Sequence, residues 1–214
     1  MRILKVKTPS KNQLRRFPIY LSYLRERQAE GMTLISSPQI ASSLNLSEEQ
    51  VRKDLNLVSS RSGKPKIGRD IKLLIFDIEE FLGYRDSRKA ILVGAGHLGR
   101  ALLAHDGFSS YGLDIICAFD NDINKVDCIF NNKNIYSLSK LEQITQESNV
   151  HIGIITVPQK YAQETCNKLV EVGIKAIWNF TMAVLEVPED VIVQNENMAS
   201  SLAILSNKLK ERLY

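Results

Sequence analysis

Ala90-Ile91-Leu92-Val93-Gly94-Ala95-Gly96-His97-Leu98-Gly99-Arg100-Ala101-Leu102-Leu103 is the stretch that decides how the larger half of this chain folds. Its apolar start reads as a buried strand, its glycines as a tight turn, and its apolar end as the opening of a helix. Glycines at G-x-G-x-x-G spacing also occur in ordinary turns, so the flanking strand and helix are what give the motif weight here. Gly94 permits the turn, Gly96 lets backbone approach a pyrophosphate, and Gly99 allows the helix to pack closely on the strand. The start of the helix adds free N–H groups and a partial positive charge. Gly94, Ala95, Gly96, His97, Leu98 and Gly99 are therefore candidate residues for binding a dinucleotide.

Downstream, strand-like runs at 89–93, 114–120, 151–157, 175–180 and 191–194 alternate with helical stretches at 98–104, 139–147, 160–172 and 197–213. Such alternation predicts a parallel sheet with crossover helices, an α/β Rossmann-type domain. Asp120 ends the second strand, 24 residues after Gly96. A carboxylate there accepts hydrogen bonds from ribose hydroxyls and repels a 2′-phosphate, which favours NAD(H) over NADP(H) as the cofactor. Thr156, Val157 and Pro158 close a later strand at the same carboxyl edge; they border the cofactor or merely turn the chain. Asn179-Phe180 carries the same two readings.

Upstream, the pattern is helical. Residues 14–28 read as a first helix, with Pro18 tolerated if the first turn begins near it, and Gly31 stops it. Ser37 caps a second short helix with Pro38 at its first position, and Asn45-Leu46 makes a turn. Ser47 and Gln50 have capping-box spacing at the start of a third helix, whose Val51, Leu55 and Val58 form one apolar face. This is the order of a helix-turn-helix. A basic, turn-rich segment at 59–70 suits a β-hairpin wing, and a fourth helix follows. The expected architecture is an α-rich winged-helix domain at 1–84, a Rossmann domain at 85–196 and a C-terminal helix at 197–214.

Charge divides along the same line. Residues 1–88 carry 17 Lys and Arg against 10 Asp and Glu, a net of +7, whereas residues 89–214 carry 11 against 14, a net of −3. A basic module facing a polyanion fits the first half, and so does a solvated basic surface; the helix-turn-helix favours the former. Gln50, Arg52, Lys53 and Asn56 lie on outer faces of the third helix, where Gln and Asn suit adenine edges and Arg and Lys suit guanine or phosphate. Lys64, Lys66 and Arg69, with Arg61, would serve a wing. Together they make double-stranded DNA the expected partner.

No apolar run nears the ~20 residues of a membrane span, and the first residues lack the apolar core of a signal peptide, so a cytoplasmic protein is expected. The three cysteines, Cys117, Cys128 and Cys166, show no C-x-x-C spacing, so neither a disulfide framework nor a metal site is expected. Met198, Leu202, Leu205, Leu209 and Leu213 form a stripe on the last helix that packs on its own domain or on a second copy.

Val51-Arg52-Lys53-Asp54-Leu55, taken with the glycine segment through Leu102, resembles the Rex family of redox-sensing repressors. Arg16-Phe17-Pro18-Ile19-Tyr20, Ala118-Phe119-Asp120, Thr156-Val157-Pro158 and Asn179-Phe180 extend the similarity over nearly the whole chain. The resemblance implies a homodimer whose C-terminal helix reaches across to the partner. It also implies an inverted-repeat operator held with NAD⁺ and released with NADH. A family Asp at the nicotinamide end corresponds to Asn197, with Met198 beside it, and the Tyr that pairs with that Asp corresponds to His105. The family's Tyr-Phe-Gly and Glu-Phe-Gly after the recognition helix are Leu57-Val58-Ser59 and Ser60-Arg61-Ser62-Gly63, and its wing Gly-Tyr is Gly68-Arg69. Two alternatives stand beside a sensing repressor. One is a Rex-like DNA-binding protein with a structural cofactor and impaired sensing. The other is an NAD-dependent dehydrogenase, disfavoured because little chain follows the Rossmann domain to build a substrate domain, so no enzyme activity is expected.

Overall fold

The computed structural model describes residues 9–60 and 68–213, which form two compact units, one ending at Arg85 and the other starting at Asp86. In the first unit α1 (Lys11–Ala29), β1 (Leu34–Ile35), α2 (Ser37–Leu44), α3 (Glu48–Val58), β2 (Arg69–Asp70) and α4 (Ile71–Leu82) follow in order. Phe17, Tyr20, Leu21 and Leu24 of α1 meet Ile40, Val51, Leu55, Ile71, Leu74 and Ile78 in one buried core. β1 and β2 pair antiparallel, Leu34 with Asp70 and Ile35 with Arg69.

Local signals placed the helices with small shifts. The first helix starts at Lys11 because Ser10 and Gln13 form a complete capping box, so Pro18 lies inside the helix rather than in its first turn. Ser36, not Ser37, caps α2, since Gln39 stands three residues after it and answers with its own side chain. Asn45 ends α2 in the left-handed region at φ 52°. Ser47 forms its half of the expected box, accepting from the Gln50 amide at 3.2 Å.

The second unit comprises β3 (Arg88–Val93), α5 (His97–Leu103), β4 (Leu113–Asp120), β5 (Cys128–Phe130), β6 (Lys133–Ser137), α6 (Leu141–Ser148), β7 (Ile152–Ile155), α7 (Ala162–Glu171), β8 (Ala176–Asn179), β9 (Ile192–Asn195) and α8 (Met198–Leu213). Its strands form one seven-stranded sheet in the order β5-β6-β4-β3-β7-β8-β9. Every neighbouring pair is parallel except β5 with β6. The sequence reading lacked this hairpin; its Asn131 and Asn132 both take positive φ, 48° and 59°, as a two-residue hairpin turn requires.

Alternation along β3 builds two cores. Ala90 and Leu92 join Leu103, Ile115 and Ile135, while Ile91 and Val93 join Leu141, Cys166, Leu169 and Ile174. A sheet covered on both faces is the reason its central strands are continuous apolar runs. Cys117 and Cys166 are buried in this unit and Cys128 is exposed. Burial pushes the Cys117 thiol up to about 12.

Candidate functional site

β3 ends where the chain must turn sharply under the next strand. Gly94 has φ 105°, and a Cβ on it would lie 2.8 Å from the carbonyl carbon of Thr156. A Cβ on Gly99 would lie 1.9 Å from the Gly94 carbonyl oxygen, so helix and turn touch through backbone alone. Thr156 locks this approach, its Oγ1 donating to the carbonyls of Gly94 at 2.8 Å and Val93 at 3.1 Å. Gly96 is different. A Cβ there would meet nothing within 4 Å, so its glycine leaves open room beside the main chain.

Asp120 sits across that turn. Its carboxylate accepts from the Ala95 amide at 2.8 Å and from the Asp122 amide at 2.9 Å. Lys125 stands near, 3.1 Å from Asp122 and 4.0 Å from Asp120. The Asn124 amide is the largest of the influences that hold Asp122 below the ordinary carboxylate range, with Lys125 adding to it. The corner therefore carries a net negative charge beside backbone donors.

A cavity of about 680 Å³ opens here, within the range of roughly 300–1,000 Å³ usual for small-molecule sites. Of the residues expected from sequence it brings together Gly94, Gly96, Asp120, Thr156, Val157 and Pro158. Ala95, His97, Leu98 and Gly99 are not in its lining; Ala95 and Gly99 are buried, Leu98 is half-buried, and His97 is exposed at the first position of α5. The sequence reading missed Asn121, Asp122 and Lys125 in the loop after β4, Leu138, and Tyr161, Glu164, Thr165 and Lys168 of the α7 region. Open space at Gly96 and a carboxylate at the end of β4 fit a dinucleotide with its pyrophosphate at the turn and a ribose toward Asp120.

His105, Asn197 and Met198 lie outside the cavity lining. The exposed His105 ring packs edge-on against Phe108, 4.8 Å between centroids. Asn197 caps α8, accepting from the Ser200 amide at 3.0 Å, and Met198 begins that helix. Asn179 is wholly buried and spends its side chain on Ala183, Asn195 and Thr181, which makes it a brace for the turn after β8. Along α8, Met198, Leu202, Leu205, Leu209 and Leu213 are 52–67% exposed, an apolar stripe with no cover among the described residues.

In the helical unit α3 turns Val51 and Leu55 inward and leaves Arg52, Lys53 and Asn56 exposed, with Gln50 half-buried. The Arg52 guanidinium pairs with Glu48, and Lys53 Nζ lies 2.7 Å from Glu49. Arg69 donates to Asn56 Oδ1. Asp77 of α4 accepts from the Ser60 amide at 2.8 Å. Both borders of the segment expected to form the wing are thus tied to the helices. Lys64 and Lys66, with Arg61, lie outside the described residues.

Asp54, on the inward side of α3, was not singled out from sequence as a functional group. It accepts from Gln13 at 3.1 Å, from Arg16 Nε at 2.7 Å and Arg16 NH2 at 3.0 Å, and from Tyr20 at 2.8 Å. Burial works to raise its pKa, but the hydrogen bonds from Arg16, Tyr20 and Gln13 outweigh it and hold the carboxyl below its ordinary value. The same cluster fixes α3 against α1. An acidic residue one turn after Val51 on the apolar face was the available signal.

Two family models match the chain: a CoA binding domain over residues 85–183 and a putative DNA-binding protein N-terminus over residues 10–56. The chain is 44% identical to the redox-sensing transcriptional repressor Rex of Treponema denticola, covering 94% of this chain and 95% of that protein. The chain belongs to the Rex family. The Rex of Bacteroides fragilis is 40% identical over 92% of this chain and 89% of its own. Among solved structures, the Rex-family repressor RSP in complex with NAD⁺ and operator DNA superposes with a TM-score of 0.89 at 30% identity, over 96% of this chain and 94% of that one. RSP in complex with NADH gives a TM-score of 0.85, with 96% of each chain covered. The Rex relatives are transcriptional repressors by name. Among the described residues of this Rex chain no helix is long and apolar enough to cross a membrane, and no group of three or more His, Cys, Asp or Glu is placed to hold a metal ion.

Proposed function

We propose that this Rex chain is a transcriptional repressor that binds NAD(H) and an operator duplex, and that leaves the operator when NADH replaces NAD⁺. The observation that carries the reading is the match over 96% of the chain to a repressor solved with NAD⁺ and operator DNA, and again with NADH. Gly94, Gly96, Asp120 and the Thr156-Val157-Pro158 edge hold the dinucleotide. Backbone donors at the turn take the phosphates, and the Asp120 carboxylate selects a free 2′-hydroxyl. Gln50, Arg52, Lys53 and Asn56 of α3 face the major groove, with Arg69 at the base of the wing.

A two-fold operator calls for two copies, and the bare stripe of α8 suits a partner chain, so the repressor acts as a homodimer in the cytoplasm. No catalytic role is assigned. The groups at the glycine corner are backbone amides and the Asp120 carboxylate, whose chemistry is binding and charge selection.

The test is a gel shift with the duplex upstream of the chain's own coding region, saturated first with NAD⁺ and then with NADH. Loss of the band with NADH is the expected result. A band that persists at full NADH occupancy overturns the sensing step and supports a structural cofactor. No band at low salt on any palindromic AT-rich duplex removes the repressor reading.

A further inference from the structure

The helix that faces the duplex in the reading above is electrically neutral at its exposed start, inside a strongly basic half of the chain. Residues 1–88 carry a net charge of +7, yet the exposed charges that begin α3 are Glu48, Glu49, Arg52 and Lys53, two of each sign. Positions four apart share one face of a helix, so each carboxylate stands directly beside one cation. The contacts are made: Arg52 with Glu48, and Lys53 with Glu49 at 2.7 Å. The hydrogen bond from Lys53 holds Glu49 below the ordinary carboxylate range, so it stays ionised. Both acids also lie in the first turn, where a carboxylate complements the helix dipole, but the dipole does not require each one to be paired with a cation on the same exposed face.

We propose that Glu48 and Glu49 are specificity-determining residues that compete with DNA phosphates for Arg52 and Lys53, and so suppress binding to duplex of the wrong sequence. A recognition helix presents its N-terminal residues to the groove. On an arbitrary duplex the two carboxylates meet phosphate charge and are repelled, while Arg52 and Lys53 must first give up a partner to reach a phosphate. On a matching site a carboxylate finds a donor instead, because cytosine N4 offers one in the major groove. Attraction is then left to the basic residues elsewhere in the unit, and the start of α3 discriminates.

This rests on α3 meeting DNA, and the experiment separates the two. The full chain, its Glu48→Gln/Glu49→Gln variant and its Arg52→Ala/Lys53→Ala variant are titrated onto a labelled duplex of scrambled sequence, by fluorescence anisotropy over a range of salt. Removing the carboxylates is expected to tighten scrambled-duplex binding roughly tenfold at low salt and to steepen the slope of log K against log salt by about 1–2, as two cations become free for phosphate. The duplex upstream of the chain's own coding region is titrated in parallel: if the Gln variant tightens there by the same factor, two added charges account for the gain without discrimination, and the proposal falls. If the Gln variant binds no tighter while the Ala variant binds more weakly, α3 meets DNA but the carboxylates do not gate it, and the proposal falls. If the Ala variant also binds like the parent chain, the placement of α3 on the duplex falls, and the proposal with it.

Discussion

Asp54 in the helical unit accepts hydrogen bonds from three side chains that lie 34–41 residues away in sequence, whereas Asp120 in the sheet unit accepts from two amides, of Ala95 and Asp122, in loops at its own sheet edge. The first carboxylate is wholly enclosed, and every neighbour is bound to it. The second lines a cavity and keeps part of its edge toward open space. A buried carboxylate with a full set of donors clamps elements together. One held by two backbone amides at a strand end stays available to a ligand. Enclosure and the kind of donor, side chains in one case and backbone amides in the other, separate the two roles.

Three substitutions would break or sharpen this contrast. The largest effect is expected at the sheet corner, where shape and not charge is limiting. Gly99→Ala puts a methyl 1.9 Å from a carbonyl oxygen that cannot move aside. Overpacking against backbone should destabilise the sheet unit by about 3 kcal/mol in thermal unfolding and displace the turn, with NADH affinity lowered in calorimetric titration. An unchanged affinity would mean that the corner opens without penalty and is not built around close backbone approach.

Asp54→Asn comes next. It leaves the Arg16 guanidinium without its counter-charge in a largely buried place, which should destabilise the helical unit by about 3 kcal/mol in urea or thermal unfolding. The pH dependence has a definite sign. Because the folded-state pKa of Asp54 is lowered, its stabilisation is complete above the ordinary carboxylate value of about 4 and fades as pH falls through the lowered one. The parent chain should therefore lose helical-unit stability in acid more steeply than the Asn variant. Parallel acid profiles would show that Asp54 is not the clamp.

The smallest effect is expected at Asp120. Asp120→Asn keeps an acceptor for the Ala95 and Asp122 amides but removes the charge that repels a 2′-phosphate. The preference for NADH over NADPH should shrink about tenfold, or roughly 1.4 kcal/mol, with stability little changed. Competitive titration of the two dinucleotides measures it, and an intact preference would shift the selectivity to other residues of the cavity.

Much of this was legible because local signals agreed with one another. The strand, glycine turn and helix from Ala90 to Leu103 read correctly, since each residue type has one physical reason to be there. Five of the six parallel strands followed from apolar runs too short to be helices; β6, with its polar Lys133 and Asn134, did not. The Asn131-Asn132 turn was equally readable, as two residues that tolerate positive φ between Cys128-Ile129-Phe130 and Ile135-Tyr136, but the surrounding polar residues masked the pairing. Pro18 misled because proline inside a helix is disfavoured, and tertiary packing of Phe17, Tyr20 and Leu21 overrode that preference. At the cavity, Lys125, Tyr161 and Lys168 had no motif; only the crossovers of the sheet bring the α7 region and the loop after β4 to one edge. Asp54 and its three donors were invisible for the same reason, since a bond spanning 34–41 residues leaves no spacing to read.

Pro18 also divides α1 in a way that matters for how it is held. Proline has no amide hydrogen, so the Leu14 carbonyl lacks its helical partner and the opening turns are weakly joined to the remainder of the rod. Those turns carry Gln13 and Arg16, which are moored sideways to Asp54 on another helix. Tyr20, beyond the proline, binds the same carboxylate, so Asp54 ties both sides of the interrupted rod to α3 and spans the missing backbone bond. One carboxylate on a neighbouring helix thus stitches α1 across its own break, and Phe17 and Tyr20 on either side of Pro18 share the same buried core.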